Sequence, residues 1–245
     1  MTHQIRKNII LHLIHHTRAS FNELWNNQGE SNAFAYHLKR LEEEGVVQKY
    51  SDGYGLTPDG QSLITDIEGD TGNKTRFPTP TVIIVAQDAK GRILAQQRKK
   101  EPYHGYWAFP SGKINFGWNP EERAKRDLYE ETGLTAGNIV LRGIEHVKTI
   151  DDGTLLHHHT LYVYQATNCT GELIKETHKA KHAWMSTEEF QSGQRLPGDW
   201  LFEFILPSKN FFIIEGERYM KEGVFTGETK AVSVKEYELC EVKKD

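Results

Sequence analysis

One segment restricts what this chain can become more than any other. It runs from Gly112 to Leu134 and holds a helix framed at both ends. Pro120 suits a first helical turn, where the missing amide has no partner to lose, and Gly133 offers a left-handed stop. On the helix between them Asp127, Glu130 and Glu131 stand at i, i+3 and i+4 and are expected to share a face. Three neighbouring carboxylates repel one another and call for a cation. Hard carboxylate oxygens suit Mg²⁺ or Mn²⁺, with substrate phosphates completing the shell. Charged helix faces are often no more than solvated surface. Here glycines bracket the trio and an apolar strand pair precedes it, which favours the metal reading.

The rest of the chain divides around a polar stretch. Residues 69–80 contain two glycines and two prolines and read as a linker, placed at 71–80, between a first domain at 1–70 and a second at 81–209. At 245 residues the chain can hold two small domains. Before the linker, Ile5, Ile9 and Leu13 repeat at helical spacing. Ser20 with Glu23 forms a capping-box pattern for a second helix. Phe34, Leu38 and Leu41 mark one side of a third helix that begins near Ser31 and stops at Gly45. Two short strands, 46–50 and 54–56, flank the turn at Ser51-Asp52-Gly53, and Pro58 opens a last helix. After the linker, Thr81–Ala86 and Arg92–Gln97 predict a hairpin across Asp88–Gly91. Further strands are expected near 139–141 and 160–166, and a β-rich C-terminal extension over 210–245. The fold class expected is α+β.

Composition narrows the setting. No window approaches the roughly 20 apolar residues of a membrane helix. The run Ile9–Ile14 is broken by His12 and is too polar for a secretion signal, so a cytoplasmic protein is expected. Cys169 and Cys240 are too few for a disulfide framework. A net charge of −4 provides no global basic field for nucleic acid.

Two family resemblances follow. Residues 3–68, above all the stretch from Tyr36 to Val47 and then Tyr54 to Gly60, resemble a winged helix-turn-helix domain. The 112–134 segment resembles the Nudix box, with Gly112, Arg126, Leu128, Glu130, Glu131, Gly133 and Leu134 in register and Nudix-like sequence over about 80–205. The second resemblance implies an α/β/α sandwich and a Mg²⁺- or Mn²⁺-dependent pyrophosphohydrolase acting on a nucleoside diphosphate-linked substrate. It implies that Asp127, Glu130 and Glu131 hold the metal, that Arg126 holds a carboxylate, that the Gly112 backbone approaches the metal, and that Glu176 offers a further carboxylate from a loop. Trp118 and Asp127 stand where the family has Glu, and Ser111 where it often has Gly. The alternative left open is a transcriptional regulator whose Nudix domain senses a nucleotide metabolite with little or no hydrolysis.

Two smaller readings remain. His157 and His159 would share one face of a strand, but zinc would need further ligands such as His146 or His178, and polar strand residues near the substrate are the simpler expectation. Trp118, Phe116 and Tyr106 could stack on a base, although aromatics beside a hairpin are more often core. The winged-helix resemblance implies duplex DNA as a partner, with Asn32, Tyr36, Lys39 and Arg40 on the third helix and Lys49 and Tyr54 on the wing, and a homodimer to read paired half-sites. Against this, residues 1–70 carry six Lys and Arg and ten Asp and Glu, a balance of −4.

Overall fold

The computed structural model describes residues 3–26, 29–198 and 200–238; Cys240 and the end of the expected extension lie outside them. The chain forms two compact units, 1–77 and 78–245.

In the first unit, helices α1 (Gln4–His15), α2 (Phe21–Trp25) and α3 (Ser31–Glu43) precede strands β1 (Val47–Tyr50) and β2 (Gly53–Leu56) and helix α4 (Pro58–Ile64). The order is the expected one and the local signals account for it. Ser20 accepts from the Glu23 amide while the Glu23 carboxylate accepts from the Ser20 amide, closing the capping box. Gly45, with φ 72°, turns the chain out of α3. β1 and β2 pair antiparallel with Val47 opposite Leu56. Ile9, Ile10 and Leu13 of α1, Phe34, Leu38 and Leu41 of α3, and Val47 and Leu56 of the hairpin form one buried core.

The stretch read as a linker is not free chain. Lys7 Nζ donates to Asn73 Oδ1 at 2.6 Å, and the Thr75 amide donates to the Asp66 carbonyl at 2.9 Å. These bonds fold 71–75 back onto the first unit, while Thr79 and Pro80 already belong to a strand of the second.

That strand, β3 (Thr79–Ala86), organises the second unit. A six-stranded mixed sheet runs β11-β10-β7-β8-β3-β6, and a three-stranded sheet runs β5-β4-β9. The elements are β4 (Ile93–Arg98), β5 (Trp107–Ala108), β6 (Ser111–Lys113), α5 (Pro120–Thr132), β7 (Asn138–Asp151), β8 (Thr154–Thr167), β9 (Ala180–Met185), α6 (Thr187–Ser192), a π-helical turn (Leu201–Ile205), β10 (Phe211–Lys221) and β11 (Val224–Tyr237). Val82, Ile84 and Ala86 of β3 join Leu94 and the α5 residues Ala124 and Leu128 in one core. Val85 joins Phe190 of α6, the π-turn residues Leu201 and Ile205, and Phe212 and Ile214 of β10 in another. Helical layers therefore cover both faces of the sheet.

The predicted β3–β4 hairpin does not form. The Asp88–Gly91 turn is present, closed by the Asp88 amide on the Arg92 carbonyl at 3.0 Å. Beyond it the strands part: β3 pairs with β6 and β8, and β4 with β5 and β9. The second half of β3 and the first half of β4 (Ile93, Leu94, Ala95) are apolar on both faces, so each needs a neighbour above and below and not only a partner across a turn.

The C-terminal strands are part of this unit's core. β10 runs parallel to β7 and β11 returns antiparallel to β10. Gly216 of β10 lies under the buried indole of Trp200, where an added Cβ would sit 2.4 Å from the ring. Gly216→Ala is expected to lower stability by about 1–3 kcal/mol through overpacking. Thermal unfolding checks this, and an unchanged midpoint would show that the ring has room to move.

Candidate functional site

The registers of the six-stranded sheet bring distant polar residues side by side. Thr149 of β7 lies opposite His157 of β8 on one side and Arg218 of β10 on the other. His159 lies opposite Thr79, and Thr81 opposite Lys113. Because side chains alternate along a strand, His157, His159, Thr79 and Thr81 face the same way. Over them opens a cleft of about 550 Å³. Six cations line it: Arg98 and Lys100 at the end of β4, Lys113 of β6, Arg123 of α5, Lys179 ahead of β9 and Arg218. Glu131 of α5 is the one carboxylate among the described lining residues.

The expected trio on α5 divides. At about 100° per residue, Glu130 and Glu131 fall on opposite sides of the line through Asp127. Asp127 turns inward with Ala124 and Leu128 and is 2% exposed. Its Oδ1 pairs with Arg123 Nη2 at 2.8 Å, while Oδ2 is buried without a hydrogen-bond partner. Burial pushes its carboxyl above the usual carboxylate range, and the Arg123 charge opposes that. Glu131 reaches the cleft. Burial and then the Asp127 charge push its carboxyl up, while Lys179, Lys100 and Arg123 draw it back. Glu130 turns outward and accepts from Arg126 Nε at 2.7 Å. Arg126 thus holds a carboxylate, but in an exposed i,i+4 pair away from the cleft lining, and its guanidinium lies 4.7 Å from the Trp118 ring centre. Trp118 supplies by cation–π contact a partner for Arg126 where a carboxylate was expected.

Gly112 does approach the carboxylates. A Cβ there would stand 1.9 Å from Asp127 Oδ2, so only glycine lets the β6 backbone lie against that oxygen. Glu176, expected to turn toward the site, does not line the cleft; it is held by Lys99, whose ammonium depresses its pKa. From the same loop region it is Lys179 that enters. His157 and His159 line the cleft, whereas His146 and His158 line a separate pocket, so the zinc constellation is not assembled. Among the described residues no group of three or more His, Cys, Asp or Glu is placed to hold a metal. Asp127 and Glu131 remain, and two carboxylates with a partnerless buried oxygen suit a hard cation that takes its other ligands from phosphate and water. Phe116 is fully exposed and not core, and Tyr106 packs on Phe225. Among the described residues no helix is long and apolar enough to cross a membrane.

In the first unit, Tyr36, Lys39 and Arg40 are exposed on α3, away from buried Phe34, Leu38 and Leu41, and Asn32 is exposed near its start. Arg40 and Lys39 both pair with Glu43, at 2.8 Å and 3.9 Å. Lys49 of β1 is exposed, 5.8 Å from the Tyr54 ring centre.

Sequence reasoning missed all six of the cleft cations and one buried acid. Gln96, Arg98 and Lys100 alternate toward the cleft, a period-two signal lost in the Arg98-Lys99-Lys100 run. Glu145 of β7 lines a smaller, mainly apolar pocket of about 90 Å³ that shares Arg218 with the cleft. It is 3% exposed, its Oε1 has no partner, and burial pushes its pKa up to about 8 against the opposing Arg218 charge.

This buried acid gives a pH signature. The folded state holds the Glu145 proton to about pH 8 while the unfolded chain releases it near 4.5, so its contribution is present at low pH and lost as pH rises toward 8. His159, held down to about 4 mainly by burial, works the other way, but only below its ordinary value of 6.5. The thermal midpoint should therefore fall between pH 6.5 and 8, and Glu145→Gln should flatten that fall. Parallel slopes for the two proteins would contradict it.

Comparison with known proteins agrees with this geometry. A NUDIX domain model matches residues 77–203. The uncharacterized Nudix hydrolase YvcI of Bacillus subtilis is 26% identical over 100 residues, which span 41% of this chain and 63% of that protein's length. An oxidized purine nucleoside triphosphate hydrolase of Danio rerio is 29% identical over 132 residues, 54% of this chain and 81% of that one. The crystal structure of a mutator MutT protein from Bacillus halodurans superposes with a TM-score of 0.52 at 26% identity, covering 64% of this chain and 97% of the other. The match takes in more than half of the 245 residues and the whole of α5 with Asp127 and Glu131, and this chain belongs to the Nudix family.

Proposed function

We propose that this protein hydrolyses a phosphoric anhydride in a nucleoside diphosphate-linked compound, with Mg²⁺ or Mn²⁺ held by Asp127 and Glu131. The observation that carries the reading is the cationic cleft converging on Glu131. A bound divalent ion would neutralise phosphate charge and acidify water. The chain's own groups do the rest. Arg98, Lys100 and Lys179 surround Glu131 and can take the non-bridging oxygens of a diphosphate. Arg123 fixes Asp127 through Oδ1 and leaves Oδ2 toward Gly112. Glu130 and Arg126 support the outer side of α5 and are assigned no contact with substrate. That the zebrafish relative is named as a triphosphate hydrolase supports cleavage of the same bond type.

A second reading has its own support. The Arg123–Asp127 pair occupies half of the donor set, and Trp118 removes a charge from the box. Both favour binding over turnover, as in a nucleotide sensor. The first unit fits this if it is a winged helix-turn-helix domain, with Asn32, Tyr36, Lys39 and Arg40 on α3 entering the major groove and Lys49 touching backbone. A homodimer would set two such helices about one DNA turn apart.

Two experiments separate the readings. A hydrolysis screen over nucleoside triphosphates, dinucleotide cofactors and nucleotide sugars should show activity that chelation removes and Mn²⁺ restores. Glu131→Gln should lower the rate by about 10²-fold or more, and an unaltered rate would end the hydrolase assignment. Selection from random duplex DNA, with and without the same nucleotides, tests the regulator. Enriched sequences should be lost when Lys39 and Arg40 are replaced by Ala. No enrichment at low salt removes DNA from the account, and enrichment that no nucleotide alters removes the sensor.

A further inference from the structure

The cleft is not built by the Nudix segment alone. Residues 77–203 end before β10, yet Arg218 of β10 lines the cleft. The β7–β10 register brings Arg218 opposite Thr149 and so past the sheet edge that β7 would otherwise form. Arg218 Nε donates to Thr149 Oγ1 at 2.8 Å. The guanidinium carbon lies 5.3 Å from the Phe225 ring centre and 5.8 Å from that of Tyr103, and these two rings are 4.9 Å apart. Phe225 comes from β11. The C-terminal hairpin therefore brings both the cation and one of the rings that orient it. With Nε committed, the terminal nitrogens are the edge that can meet a phosphate in fork geometry.

The charges fall into two groups. Lys179, Lys100, Arg123 and Arg98 act on Glu131. Arg218 and Lys113, with His157, act on His159. The second group has no carboxylate in the cleft lining to balance it; the carboxyl that interacts with Arg218, Glu145 in the adjoining pocket, is pushed by burial up to about 8 and so stays protonated near neutral pH, whereas Arg123 has Asp127. With Arg123 paired to Asp127, five lining cations face Glu131, and a diphosphate diester carries about two negative charges, too few to match them. A metal at Glu131 would widen the imbalance.

The geometry points to Arg218 as a specificity-determining residue, supplied by the C-terminal hairpin, that recognises a phosphoryl group of the ligand beyond the two of a diphosphate. This rests on the reading that the cleft takes phosphorylated ligands. The additional group can be the third of a contiguous chain or a separate phosphate on a distal sugar.

The test uses the full chain and calorimetric binding of inorganic pyrophosphate and inorganic triphosphate. The intact protein should prefer triphosphate. Arg218→Ala should weaken triphosphate by about tenfold or more, the size expected for a charge-assisted pair, and leave pyrophosphate within about threefold. Phe225→Ala, which keeps the cation and removes its ring, should shift triphosphate in the same direction by less. Arg218→Lys carries the same comparison if the alanine variant does not melt cooperatively. Equal losses for both probes would mark Arg218 as structural, and no loss for either would remove it from the site; both outcomes overturn the proposal. Pyrophosphate failing to bind the intact protein would instead overturn the cleft reading beneath it. Discrimination between ATP and ADP, set against that between nucleotides with and without a 2′-phosphate, tells the contiguous source from the separate one. Hydrolysis by Arg218→Ala should show a raised KM with kcat largely retained, opposite to Glu131→Gln.

Discussion

β3 is buried on both faces, and most of the second unit follows from that. Val82, Ile84 and Ala86 require cover on one side and Val85 on the other, so α5 must lie across one face and α6 with the π-helical turn across the other. The same strand carries Thr79, Thr81 and Ile83 into the cleft and pairs with β6, which brings Gly112 against Asp127. The core and the site thus share a scaffold. A packing change on β3 would be felt at the carboxylates, because interiors at crystal-like density transmit small shifts.

The carboxylates illustrate how a pattern can be right in kind and coarse in placement. Residues at i, i+3 and i+4 are neighbours on a helix, yet they span enough arc to meet three environments: interior for Asp127, cleft for Glu131, solvent for Glu130. Periodicity along α5 could not say where the boundary between core and cleft would cut. Gly112 was legible because a close backbone approach leaves one residue type possible. The helix order of the first unit was legible for a similar reason, since caps and stops are local, as at Ser20 and Gly45.

What the sequence concealed was non-local. Arg218 and Thr149 become neighbours only through a parallel register between strands far apart in the chain. Glu176 and Lys179 are equally plausible in sequence, and the choice fell to Lys99, which holds Glu176 aside. The turn at Asp88–Gly91 was read correctly as a turn but not as a crossing between sheets, because turn chemistry specifies the reversal and not the partner.

The parallel union of β7 and β10 also has a temporal side. An antiparallel neighbour can zip from a tight turn, but β10 can dock only after the chain between Asp151 and Phe211 has been laid down and folded back. Arg142, buried at the near end of β7, then clasps the carbonyls of Ser208 and Asn210 just ahead of β10. Since a chain emerges from the ribosome amino end first, α5 and its acids are in place while the wall that bears Arg218 is still unmade. A nascent chain would thus hold its acids and the cations around Glu131 before it gained the wall that bears Arg218, so the cleft closes on that side in one late step.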